Sequence, residues 1–105
     1  MAVIEATEQN YDELLKEEYV IVDYYGEHCG ACVALEPVYR EAANDMPGIQ
    51  FLKINVTHNP SIGKRYQIKG VPTMKFFRDG EIVHEATGSM NRETLNSHIA
   101  AMLYE

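Results

Sequence analysis

The chain has 105 residues, of which 46% are hydrophobic, enough for one domain with its own core. Sixteen acidic residues against nine basic ones give a net charge of −7, which argues against nucleic acid and anionic membrane as partners. No stretch approaches the roughly 18 apolar residues that span a bilayer, and Met1-Ala2-Val3-Ile4-Glu5-Ala6-Thr7-Glu8 lacks the basic-then-apolar order of a signal peptide. The expectation is a single domain over residues 1–105, located in the cytoplasm.

Val3-Ile4-Glu5-Ala6 reads as a short edge strand. Thr7 is a candidate N-cap, followed by Tyr11, Leu14 and Leu15 at helical spacing through Lys16-Glu17-Glu18. Residues 19–25 form a β-branched and aromatic run broken only by Asp23, as in a strand covered on both faces. From Cys29, the positions Cys32, Leu35, Val38, Tyr39 and Ala42 keep a helical period to about Met46, with Pro37 inside as an expected kink. Pro47-Gly48 ends that helix, and residues 49–56 read as another strand. Pro60 opens a short helix after Asn59. Residues 73–78, the Asp79-Gly80 pair and residues 81–85 carry a hairpin signal. Asn91 caps a final helix over residues 92–103, with Leu95, Ile99 and Met102 or Leu103 inward. The order βαβαβαββα predicts an α/β fold: a mixed sheet with helices on both faces.

The chemistry concentrates at Cys29-Gly30-Ala31-Cys32, which holds both cysteines of the chain. A C-x-x-C pair where a strand runs into a helix reads as a redox dithiol. The open N–H groups and the dipole of the helix start favour a thiolate at Cys29, the form that attacks disulfides. An inert buried pair and half of a zinc site are the alternatives. Zinc needs about four ligands, and none of His28, His58, His84 and His98 stands at metal-motif spacing to the cysteines. No metal is expected. His58, His84 and His98 read as surface residues, and Glu13, Glu17 and Glu18 as a solvated helix face. Asp23 either ends an edge strand facing solvent or is buried. A buried carboxylate is costly unless paired or protonated, so its pKa should rise, and such a group beside a buried thiol can accept a proton from it. Lys53 offers a partner that would moderate the shift.

Over essentially its whole length the chain resembles the thioredoxin family. The resemblance rests on Val22-Asp23-Tyr24, Cys29-Gly30-Ala31-Cys32, Pro37, Lys53-Ile54-Asn55-Val56, Asn59-Pro60, Tyr66-Gln67-Ile68-Lys69-Gly70-Val71-Pro72-Thr73, Asp79-Gly80 and Gly88. It implies the thioredoxin fold and a protein-disulfide reductase that works by dithiol–disulfide exchange. It further implies Cys29 as the exposed nucleophile, Cys32 as the buried resolving thiol, and Asp23 beneath Cys32 with Lys53 near it. Val71-Pro72 would be a cis bond lying against the dithiol, where the backbone of residue 71 pairs with an extended substrate. Gly70 and Gly88 would leave that substrate room, and Gly30 and Ala31 of the motif would meet it too. No bound cofactor is needed beyond the redox-active Cys29–Cys32 disulfide. The implied partners are disulfide-containing client proteins and a flavoprotein thioredoxin reductase as electron donor, with the chain a monomer.

The chain departs from the family pattern at three positions. His28 stands where Trp is usual, Ala31 where Pro is usual, and Val33 where Lys is usual. A protonated His28 would stabilise the Cys29 thiolate and make the couple more oxidising, and Ala31 should act in the same direction. The bland alternative is a solvent-facing His28 that only trims the docking surface. A more oxidising, isomerase-like protein and a non-catalytic binding module of the same fold are the competing functions. Cys29, Cys32, Asp23 and Pro72 together argue against the module.

Overall fold

The computed structural model describes residues 2–104. Among them, the order is β1 (Val3–Glu5), α1 (Tyr11–Leu14), β2 (Tyr19–Tyr25), α2 (Gly30–Asp45), β3 (Gln50–Asn55), α3 (Pro60–Arg65), β4 (Thr73–Arg78), β5 (Glu81–Thr87) and α4 (Arg92–Tyr104). The strands form one sheet in the order β1-β3-β2-β4-β5. β3 runs parallel to β1 and β2, whereas β4 is antiparallel to both β2 and β5. This is the mixed sheet that the element order predicts.

Strand periodicity divides the core. Ile21, Phe51, Met74 and Phe76 pack on one face against Leu35, Tyr39, Ala42 and Ala43 of α2 and Leu95, Ile99 and Met102 of α4. Val20, Val22, Tyr24, Leu52, Ile54 and Phe77 point the other way, onto Tyr11 of α1 and Ile62 of α3. Because side chains alternate along a strand, Asp23 shares the α2 face with Ile21, and Lys53 shares it with Phe51. The register places Asp23 opposite Lys53, and Lys53 opposite Glu5. Tyr39 fixes α2 over this row: its hydroxyl lies 2.6 Å from the carbonyl of Leu52 and 3.0 Å from that of Ile21.

Several local expectations hold. α2 continues through Pro37, Pro60 is the first residue of α3, and Asn91 accepts the Thr94 N–H at 2.8 Å at the start of α4. The hairpin turn has Asp79 at φ 52° and Gly80 at φ 84°, the two left-handed residues of a type I′ turn.

Three expectations are corrected. α1 is a single turn that ends at Leu14, before Lys16-Glu17-Glu18. Residues beyond Leu15 must turn to deliver the buried Val20 to the sheet, and that geometry overrides helical spacing. Thr7 is not the N-cap: the cap is Asn10, whose Oδ1 instead accepts the Thr7 N–H at 2.8 Å. His84 and His98 are half-buried rather than surface residues. Their rings meet with Nε2 and Nδ1 2.7 Å apart, and both lie against Phe76. β5 places His84 on the same side as the buried Ala86, where α4 covers it. His58 is exposed, as are Glu13, Glu17 and Glu18.

Candidate active site

β2 ends at Tyr25, and three residues carry the chain into α2. A Cβ on Gly26 would come within 3.2 Å of Thr57 Oγ1, so this approach suits glycine. His28 takes φ 54°, a left-handed conformation uncommon for a residue with a side chain. It turns the chain so that Cys29 becomes the N-cap of α2, and its own ring is exposed.

Cys29 and Cys32 form a disulfide. Cys29 Sγ accepts the backbone N–H of Cys32 at 3.1 Å. That donor is one of the open N–H groups of the helix start, and it favours negative charge on the sulfur. Cys29 is half-buried and Cys32 is buried, so the first sulfur is the one a partner can reach. Gly30 and Ala31 are exposed between them, and a Cβ on Gly30 would meet nothing within 4 Å.

A second loop lies against the first sulfur. Val71-Pro72 is a cis peptide, and the Val71 carbonyl oxygen is 3.6 Å from Cys29 Sγ. Thr73 Oγ1 donates to the Gly70 carbonyl at 2.6 Å, and the Gly88 N–H donates to the Pro72 carbonyl at 2.9 Å. These two bonds fix the loop that leads from α3 into β4, the second by tying it to the residue after β5. A Cβ at Gly70 or at Gly88 would meet nothing within 4 Å, so the space beside this loop is open.

An open cleft of about 450 Å³ joins the dithiol to the row of charges on the sheet. Cys29, Cys32, His28, Val33, Glu36, Lys53 and Asp23 are among its lining residues. Asp23 is 3% exposed, and its Oδ1 has no hydrogen-bond partner. Burial raises its pKa from 3.8 to about 7. Lys53 opposes that rise, while Glu36 and Glu5 add to it. Asp23 is therefore the buried carboxylate, not the solvent-facing strand end.

Sequence reasoning did not find the residue that holds Lys53. Its Nζ makes an ion pair with Glu36 Oε2 at 3.1 Å, and it sits 4.4 Å from the centroid of the Tyr25 ring. The Tyr25 hydroxyl in turn donates to Glu5 Oε2 at 2.7 Å. The available signal is helical: Glu36 follows Cys32 by four residues and so shares its face of α2. Asn55 and Glu27 form another connection, with Asn55 Nδ2 donating to Glu27 Oε2 at 2.7 Å and Asn55 Oδ1 accepting from the Thr57 N–H at 2.9 Å. It ties the loop before the dithiol to the end of β3. Among the described residues, no helix is long and apolar enough to cross a membrane.

A closed C-x-x-C disulfide at a helix N-terminus, on a mixed five-stranded sheet, defines a thiol–disulfide oxidoreductase. The family model "Thioredoxin" matches residues 2–101. The chain is 34% identical over 96 residues to a thioredoxin of Staphylococcus haemolyticus, covering 90% of this chain and 92% of the relative. It is 33% identical to one of Staphylococcus saprophyticus and 32% identical to one of Staphylococcus aureus over the same shares. The chain belongs to the thioredoxin family, whose members reduce protein disulfides and are recharged by a reductase.

Proposed function

We propose that Cys29 is the nucleophile and Cys32 the resolving thiol in reduction of client protein disulfides. The Cys29 thiolate attacks one sulfur of the client disulfide, forming a mixed disulfide and releasing the other client sulfur as a thiolate. Cys32 then loses its proton to the Asp23 carboxylate and attacks Cys29 Sγ. The Cys29–Cys32 bond forms, the mixed disulfide breaks, and the second client sulfur leaves as a thiolate that takes up a proton. The client has gained two electrons, and the dithiol has lost them.

The observation that carries this reading is the unpartnered Oδ1 of a buried Asp23 in the same cleft as Cys32. A base held near neutrality is suited to take a proton and give it back at physiological pH. Lys53 limits the rise of Asp23. Gly30, Ala31, Gly70, Val71, Pro72 and Gly88 form the rim on which an extended client segment lies, its backbone pairing with that of Val71. The internal disulfide is the only redox group required. A flavoprotein thioredoxin reductase returns the electrons, and the chain works as a monomer in the cytoplasm, with neither nucleic acid nor membrane as partner.

The test is thiol release from a disulfide-linked client, with dithiothreitol as electron source. Cys29→Ser should abolish turnover, and Cys32→Ser should halt it at a trapped mixed disulfide on Cys29. Turnover by Cys29→Ser at the wild-type rate would refute the assignment.

Val33 supports a second reading, about docking. It is 71% exposed beside Cys32, and its place in the family pattern is usually a lysine's. A bare apolar side chain next to the dithiol suits a narrower partner set than a general thioredoxin has. Equal turnover with an NADPH-dependent thioredoxin reductase and with a general disulfide client would contradict it.

A further inference from the structure

The ion pair that holds Lys53 has no role in the steps above, yet it governs which carboxylate the ammonium serves. Glu36 Oε2 accepts from Lys53 Nζ at 3.1 Å and from Arg40 Nε and Nη2 at 2.9 and 2.7 Å. That single oxygen takes donors from two cations, while Asp23 Oδ1, on the register neighbour of Lys53, takes none. The choice has a physical basis. Pairing with Asp23 would strip water from both charges, and that cost can exceed the Coulombic gain. Glu36 has a side chain that is 39% exposed, so it keeps part of its hydration, and Arg40 presets its carboxylate. The Tyr25 ring supports the ammonium from the other side at 4.4 Å.

The groups facing Asp23 come from every neighbouring element. β3 presents Lys53, β1 presents Glu5, and β2 itself contributes Tyr25. α2 presents Cys32, Glu36 and Tyr39, and β4 offers only Met74. Burial holds the Tyr25 and Tyr39 phenols well above their ordinary range, so both stay neutral. Lys53 is the one cation in the set, and its location decides how much positive charge Asp23 feels.

We propose that Glu36 is a positioning residue for the exchange reaction: it draws the Lys53 ammonium away from Asp23 and so sets the pH range in which Asp23 can take the Cys32 proton. The proposal rests on Asp23 being the proton acceptor. Without Glu36, the attraction of Lys53 falls on Asp23 and Glu5, the two carboxylates that flank it across the sheet.

The experiment pairs two measurements on the intact chain: the carbon-13 titration of the Asp23 carboxyl, and the pH profile of thiol release from a Cys29-linked mixed disulfide. Glu36→Ala should move the Asp23 midpoint down by about one unit. The acid limb of the profile should move down with it, and Glu36→Asp should restore both. In a Lys53→Met background, Glu36→Ala should have a much smaller effect. An unchanged midpoint in Glu36→Ala, with a wild-type profile that follows Asp23, overturns the proposal alone. A shift of equal size in the Lys53→Met background also overturns it, because Glu36 would then act by its own charge. A wild-type profile that ignores the Asp23 midpoint overturns the proton-acceptor reading and the proposal together.

Discussion

Two lysines lie buried on opposite faces of the same sheet, and they treat their neighbours differently. Lys75 on β4 stands opposite Glu85 on β5, and the two form an ion pair at 2.7 Å. Lys53 on β3 stands opposite Asp23 on β2, yet its ammonium goes to Glu36 and Asp23 Oδ1 is left without a partner. The difference lies in exposure. The Glu85 side chain is 56% exposed at an edge strand, so its pair with Lys75 is made at little desolvation cost. Asp23 lies under α2 in the centre of the sheet, where a closed pair would cost both charges their water. A closed pair serves the fold, and an unclosed one leaves a carboxylate free to exchange a proton.

Asp23→Ala is the largest way to break this contrast. The sign follows from the raised pKa. Between pH 3.8 and about 7 the folded state holds the Asp23 proton and the unfolded state does not, so stability falls as pH rises through that window and is flat above it. A gap of about three units amounts to roughly 4 kcal/mol at the upper bound. Asp23→Ala should therefore be more stable than wild type by ~3 kcal/mol at pH 8, with the advantage fading as pH falls toward 4. Urea unfolding at several pH values measures this, and equal stability at pH 8 would remove the buried charge from the account. The same variant should release thiol from a mixed disulfide more slowly at neutral pH.

Lys53→Met comes next. It deletes the only cation facing Asp23 among the described residues, so the Asp23 midpoint should rise above 7 and the acid limb of the exchange profile should move up with it. Lys75→Met sharpens the comparison from the other side: it should leave the Asp23 midpoint unmoved and cost ~1 kcal/mol in stability, the upper end for an ion pair with a solvent-exposed partner. Equal effects of the two substitutions on Asp23 would erase the distinction between the lysines. The smallest expected effect is at His28. Its ring is exposed, and solvent screens its influence on the dithiol. His28→Ala should lower the dithiol potential, but by less than about 30 mV, a tenfold change in the exchange equilibrium of this two-electron couple. Equilibration in dithiothreitol redox buffers reads that shift, and a rise in potential would contradict a thiolate-stabilising His28.

How far the site was legible in the sequence follows the reach of each signal. Asp23 stood out because one charge interrupts a seven-residue apolar strand, and the dithiol stood out because its spacing is local. β2, the hairpin and α4 were legible from periodicity and turn chemistry over a few residues. The end of α1 was not, because helical spacing continues past Leu14 while the chain must already turn toward β2. The Glu36–Lys53 contact depends on a helix face meeting a strand register, and no local pattern encodes that meeting. The His84–His98 contact joins β5 to α4 in the same way, so each histidine taken alone looks like a surface residue.

The most direct test of the central claim is a carbon-13 NMR titration of the Asp23 carboxyl in the wild-type disulfide form. A midpoint near 7 is the predicted result: a buried carboxylate, left without a partner, able to exchange a proton at neutral pH. A midpoint near 4 would mean that Asp23 is hydrated or closed into a pair with Lys53, and would contradict its assignment as the acceptor of the Cys32 proton.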